Sequence, residues 1–196
     1  DGQTLKTLDT ERPGISAARA LLCEGTTAVL IGQRGEMATF DTANMRALWT
    51  APAQANMTLQ AGAHWLSDGC VGMVLVGGAR NVRTFKAYCR NLNDGSAVYE
   101  RELAAPVENR TVALGETAQF SDAIALSLSR RETIDEIRDN GKTRRTTVYL
   151  PPQVLVVDKS SGTVKLTYEM TTIANSTAPS LAASDGGLLA SVNDKI

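Results

Sequence analysis

Short apolar runs separated by polar breaks set the rhythm of this chain. Ala28 to Trp49, AVLIGQRGEMATFDTANMRALW, shows the unit most fully. Val29, Leu30 and Ile31 suit a buried strand, and Met37, Thr39 and Asp41 alternate with Ala38 and Phe40 in the period of two that a pleated strand imposes. Gln33-Arg34-Gly35 makes one turn, Asp41 to Met45 a second, and the last strand closes on Trp49. These pieces are too short for helices and are bounded by turn residues, so the pattern predicts a β-meander.

Related units recur. Ile15 to Cys23 reads as the first strand of the opening unit, which Pro52 ends. A second unit has a strand at His64 to Leu66, the turn Ser67-Asp68-Gly69, the continuous apolar run Cys70 to Val76, and Val82 to Arg90. Asn93-Asp94-Gly95 then turns the chain into Ala97 to Leu103, a strong hairpin signal because such turns need residues that tolerate positive φ. A third unit places strands at Ala118 to Phe120, Ala123 to Ser129, Val154 to Asp158 and Thr163 to Met170, and a fourth begins at Ser180. Asp1 to Asp9 reads as the end of a preceding unit. The predicted unit boundaries are 15–51, 59–104, 112–170 and 180–196, the last incomplete.

Within the third unit, residues 130–147 are dense in Arg, Lys, Asp and Glu. They read as a solvated insertion, a mobile loop or an extended hairpin with its tip at Asp139-Asn140-Gly141. Aligned on their late turns, Gly2, Met45, Gly95 and Gly162 are 43, 50 and 67 residues apart. Without the insertion the last interval approaches the others. Units of ~40–50 residues with four strands each predict an all-β fold, a partial β-propeller of four-stranded antiparallel blades: about three complete units and fragments at both ends.

The late turns resemble the blade-docking motif of quinoprotein-like (PQQ-type) propellers, roughly A-x-D-x-x-T-G-K-x-x-W. Asp41 precedes Trp49 by eight positions, with Arg46 at the basic place. Asn91, Gly95 and Tyr99 keep those offsets, as do Asp158 and Gly162, although Leu166 stands where the tryptophan would be. The resemblance implies that the glycine supplies the turn and the aromatic wedges between neighbouring blades. It implies further that Trp49 is largely buried and costs more than Trp65 to remove. Quinone-dependent dehydrogenases of this superfamily carry adjacent cysteines and a calcium site, and this sequence has no matching pair or carboxylate cage. Met37 to Val107 is similar, in segment order, to the lumenal propeller of the family of subunit 1 of the endoplasmic reticulum membrane protein complex. That resemblance implies a scaffold for other subunits on the lumenal side of a membrane complex. The alternatives are a piece of a dehydrogenase propeller and a periplasmic scaffold for outer-membrane assembly.

Charge and composition narrow the rest. A net charge of −1 and 43% apolar residues describe an ordinary globular chain without a basic footprint for nucleic acid or anionic membrane. No apolar run approaches the ~20 residues of a membrane-spanning helix. The polar start Asp1-Gly2-Gln3-Thr4 lacks the apolar segment of a signal peptide. Sequons at Asn56, Asn109 and Asn175 suit a secretory compartment. Cys23, Cys70 and Cys89 form no CxxC pair, which argues against structural zinc; they read as reduced thiols, or as one disulfide and a free thiol. His64 would need an orienting carboxylate and a nucleophile to act as a base, and reads as structural. Glu132, Asp135, Glu136 and Asp139 alternate with cations as a solvated face does. The sequence therefore predicts no catalytic residue, no cofactor and no metal.

Overall fold

A computed structural model describes residues 14–15, 17–79, 82–104, 110–139, 141–171, 178–184 and 187–191. These residues form strands and turns, with no helix among them. The first sheet contains β1 (Ala18–Glu24), β2 (Thr27–Gly32), β3 (Met37–Asp41) and β4 (Arg46–Ala51). The second contains β5 (Met57–Ser67), β6 (Cys70–Ala79), β7 (Val82–Asn91) and β8 (Ala97–Ala104). The third contains β9 (Arg110–Gln119), β10 (Ala123–Ile137), β11 (Thr143–Asp158) and β12 (Val164–Glu169), and β13 (Ser180–Ser184) pairs with β14 (Gly187–Ser191). Every pairing is antiparallel between consecutive strands.

Local chemistry sets the tight turns. Ser67 pairs with Cys70 across Asp68 and Gly69, whose φ values are 52° and 69°. Two consecutive positive φ angles are what a two-residue hairpin on twisted strands requires, and Asp-Gly tolerates them. The expected strand at His64 to Leu66 is longer in the structure. β5 starts at Met57, and its pairing with β6 breaks between Leu59 and His64, where Gly62 has a φ of 71°. The expected first strand at Ile15 begins instead at Ala18, and Ile15 is buried beside Ala38 and Phe40.

The sheets stack face to face. β6 explains why one strand reads as an unbroken apolar run: it is covered on both sides. Val71, Met73 and Leu75 pack with Val29, Ile31 and Met37 of the first sheet. Val74, with Phe85, Ala87 and Cys89 of β7, packs on Ile124, Leu126, Leu128, Leu155 and Val157 of the third. Gly72 leaves room on that second face for the Trp65 ring, since a Cβ there would lie 2.1 Å from Trp65 Cε2. The third sheet repeats the scheme, with Ala118, Ala125 and Val154 turned toward Leu181, Leu188 and Ala190 of the last strand pair. The first strand of each sheet also neighbours the first strand of the next, β1 with β5, β5 with β9 and β9 with β13. Antiparallel meanders stacked around their first strands are the blades of a partial β-propeller.

The charged segment is an extended hairpin. β10 and β11 stay in register from Arg130 opposite Leu150 to Ile137 opposite Thr143. At its tip Gly141, with a φ of 73°, donates its N–H to the Arg138 carbonyl at 2.8 Å. At its base the Arg130 guanidinium donates twice to the Pro151 carbonyl, at 2.8 and 2.6 Å, and reaches Glu169 at 2.6 Å.

Candidate interaction site at the turns between blades

Each complete blade turns from its third to its fourth strand over an Asp or Asn. Asp41 Oδ1 accepts the N–H groups of Ala43 (3.0 Å) and Asn44 (3.1 Å). Asn91 Oδ1 accepts Asn93 N–H at 2.8 Å, and Asp158 Oδ1 accepts those of Ser160 (2.9 Å) and Ser161 (2.8 Å). A short polar side chain that bonds its own backbone two or three residues on is how Asx residues initiate turns. Four residues later, Met45, Gly95 and Gly162 have φ values of 53°, 74° and 69°. The Gly95 and Gly162 N–H groups donate to the carbonyls of Asn91 and Asp158, both at 2.9 Å.

Both carboxylates are held below the ordinary range, because the groups around them favour the charged form. For Asp41 the leading cause is the hydrogen bond from the Asn44 side chain. For Asp158 it is the Lys165 ammonium, 2.7 Å away, followed by the Ser160 hydroxyl.

The turns of the second and third blades also receive a side chain from the blade before them. The Trp49 indole N–H donates to the Leu92 carbonyl at 2.8 Å, and its ring covers Gly95, where a Cβ would sit 2.7 Å from Cδ2. The Tyr99 hydroxyl donates to the Lys159 carbonyl at 2.7 Å, and its ring covers Gly162, where a Cβ would sit 2.4 Å from Cε2. Leu92 and Lys159 each directly follow the Asx residue. Burial first, and then the neighbouring Cys89, pushes the Tyr99 hydroxyl above its usual pKa, so it remains a donor. Lys159 is itself buried, with its ammonium donating to the Phe120 carbonyl; burial lowers its pKa.

The larger cost was expected at Trp49, but Trp65 is the more deeply buried of the two. Trp49 is only half-buried, whereas Trp65 is 2% exposed in the core between the second and third blades. Trp49 lies near the outer end of its junction, on the fourth strand, while β5 carries Trp65 between two sheets. The acceptor carbonyls of Leu92 and Lys159 are the parts of these junctions that sequence reasoning missed. Backbone atoms leave no mark on residue identity. Gly72, a glycine inside an apolar strand, was the available signal for the Trp65 seat.

Other chemistry-bearing residues lie apart from the turns. Asn56 is exposed, with a φ of 58°, just before β5; Asn109 and Asn175 lie outside the described residues. His64 lines a cleft of about 300 Å³ with Arg19, Gln33, Thr58, Leu59, Ala61 and Gly62. Its Nδ1 is buried without a partner, and burial lowers its pKa, which favours the neutral ring. Cys23 is exposed, Cys70 half-buried and Cys89 buried, all as free thiols. Burial, then the adjacent Cys70, pushes the Cys89 thiol up to about 12. Among the described residues, no group of three His, Cys, Asp or Glu side chains could hold a metal ion. No helix among them is long and apolar enough to cross a membrane.

No protein-family model and no curated protein sequence matches the chain. Solved structures similar to it include a quinohemoprotein alcohol dehydrogenase from Pseudomonas putida HK5, with 11% identity and a TM-score of 0.42 over 80% of this chain and 35% of that one. BamB from Moraxella catarrhalis has 13% identity and a TM-score of 0.45 over 85% of this chain and 43% of that one. A europium-containing methanol dehydrogenase has 11% identity and a TM-score of 0.41 over 85% of this chain and 44% of that one. The chain thus spans less than half the length of each. Quinohemoprotein enzymes belong to the group that the sequence resemblance names, but likeness at this level speaks to neither activity nor ligand.

Proposed function

We propose that this chain is a non-catalytic propeller scaffold that mediates protein–protein interaction on the lumenal side of an endoplasmic reticulum membrane-protein biogenesis complex. The observation that carries the scaffold reading is the β10–β11 hairpin. Beyond its pairing with β9 it runs as a two-stranded ribbon from Thr133 to Thr147, with both outer edges open among the described residues. An isolated two-stranded ribbon is marginally stable in water, so one this long and regular suits a contact arm. Ile134 and Ile137 are exposed along it, and Val148 and Tyr149 at its base. The lumenal placement is supported by the sequon at Asn56, which is exposed beside a turn and accessible to a glycan.

Affinity purification from native membranes tests the scaffold reading: co-purifying membrane-complex subunits that are lost when 133–147 is replaced by a short turn are expected. Recovery of no partner would count against it. Glycan occupancy at Asn56 tests the compartment, and an unmodified Asn56 would favour the bacterial periplasm. Dye reduction after adding a pyrroloquinoline quinone and calcium would instead place the chain in a dehydrogenase.

A further inference from the structure

The first strands of the blades meet differently at two neighbouring junctions. Between the second and third blades, side-chain amides tie β5 to β9. Gln60 Nε2 donates to the Gly115 carbonyl at 3.0 Å, and Gln119 Nε2 to the carbonyls of Gly62 (3.1 Å) and His64 (2.7 Å). Between the first and second blades, β1 and β5 instead border the cleft of about 300 Å³. Arg19 of β1, Gln33 of the β2–β3 turn, and Thr58, Leu59, Ala61 and His64 of β5 line it. Its walls all come from residues 19–64, within two complete four-stranded blades.

The turn holds Gln33 by both backbone groups: its N–H donates to the Ala17 carbonyl at 2.8 Å, and its carbonyl accepts the Leu59 N–H at 2.7 Å. The Arg19 guanidinium donates to Gln33 Oε1 at 2.9 Å, which occupies the amide's acceptor and leaves its N–H groups to offer. Ala63 and Trp65 belong to the core shared with the third blade, so strand alternation turns His64, between them, toward the first. Its Nδ1 is buried without a partner. A buried bare acceptor is tolerated better than a buried unpaired N–H, so the proton sits on Nε2. Burial also favours the neutral ring. Arg19, Gln33, Thr58 and His64 thus all bring donors, and Arg19 brings the full positive charge. Among the described residues, no Asp or Glu lines the cleft.

We infer that this cleft binds a monocarboxylate carried on a short apolar group, either a free acid or the C-terminal residue of a peptide. An ionised carboxylate is an acceptor only, which suits a lining of donors. Arg19 can give it two parallel N–H bonds, with the Gln33 amide, the Thr58 hydroxyl and His64 Nε2 to take up the remaining lone pairs. The single guanidinium charge balances one carboxylate, whereas a dianion would keep an uncompensated charge. Leu59 and Ala61 supply the apolar wall for the attached group. Such a site needs neither the hairpin arm nor the lumenal placement, so the purification result stands or falls separately.

His64 is the one histidine of the chain, so its ring-proton NMR signals report on the cleft directly. Titrating the full chain with sodium isovalerate or with N-acetylalanylvaline, at constant ionic strength and near-neutral pH, should move those signals saturably. Millimolar affinity is what ligands of this size reach. Tighter binding of isovalerate identifies a free acid as the occupant, and tighter binding of the peptide a chain terminus. Arg19→Gln should weaken binding by at least about tenfold, through loss of a charge-assisted pair, and Thr58→Val by about threefold. Arg19 and Thr58 are exposed, so both variants should keep the wild-type melting curve. Arg46→Gln, on the fourth strand of the first blade, should leave the titration unchanged. Absence of a saturable shift with either acid would overturn the inference. So would equal binding of the peptide's C-terminal amide or of inorganic phosphate, or an affinity indifferent to Arg19→Gln.

Discussion

The junction between the first two blades and the junction between the second and third use the same parts at different depths. Both seat an aromatic from a fourth strand on a turn glycine and tie its polar tip to a backbone carbonyl. Trp49 does this partly exposed, packed against a core that includes Met37, Met57 and Met73. Tyr99 does it buried, beside Trp65, Phe85 and Leu126. The motif thus sets geometry, while the surrounding core decides how much stability each copy contributes. Methionine fills irregular gaps and adapts, whereas a Trp seated against Gly72 does not.

The largest effect should come from the deeper junction. Trp65→Ala empties a fully enclosed site and should cost about 3–5 kcal/mol, against about 2 kcal/mol for Trp49→Ala, by urea denaturation of each variant. Equal losses would mean that the two junctions are packed alike.

The turn glycines sharpen the comparison. Gly95→Ala and Gly162→Ala each place a Cβ against an aromatic ring at positive φ, and should cost roughly 1–3 kcal/mol. In a double-mutant cycle, Trp49→Ala should relieve much of the Gly95→Ala cost. Strict additivity would separate the ring from the turn. Met45 occupies the same φ region without being Gly, so Met45→Gly should stabilise by roughly 0.5 kcal/mol.

Removing one hydrogen bond comes next. Tyr99→Phe leaves the ring and frees the Lys159 carbonyl, for about 1 kcal/mol at the deeper junction. Asp158→Ala should cost roughly as much near neutral pH, because it removes the acceptor of the Ser160 and Ser161 N–H groups. Its pH dependence has a defined sign. The folded state depresses the Asp158 pKa, so its contribution is full above the ordinary carboxylate value near ~3.9 and declines as pH falls below it. Wild-type and variant stability curves should therefore converge in acid; a constant gap down to pH ~2 would contradict this reading.

The smallest effect belongs to the charged ribbon. Replacing 133–147 with a short turn should change stability by less than ~1 kcal/mol in thermal melts. A deletion that reaches Arg130, as the sequence alone would suggest, also removes its bonds to Pro151 and Glu169 and should cost more.

Much of this fold was legible because its signals are local. Alternation in Met37 to Asp41, the Asp68-Gly69 turn and the spacing of Asp41, Asn91 and Asp158 report backbone conformations that neighbouring residues impose. The recurrence of those conformations is visible without tertiary contacts. The reach of β10 and β11 was less clear: the charges in 130–147 fit a loose loop as well as a ribbon, and only strand register separates the two. The start of β5 was hidden for a related reason, since Gly62 interrupts the pairing pattern that periodicity relies on.

The sequence by itself determined the strand-rich class, the four-strand period and the places where the chain must turn, since these follow from side-chain alternation and permitted φ. Tertiary structure alone decided which tryptophan is buried, which carbonyls accept Trp49 and Tyr99, and that β6 is covered on both faces. Burial and long-range hydrogen bonds depend on residues dozens of positions away. A tryptophan has the same composition and local pattern whether the next sheet encloses it or leaves part of it in water.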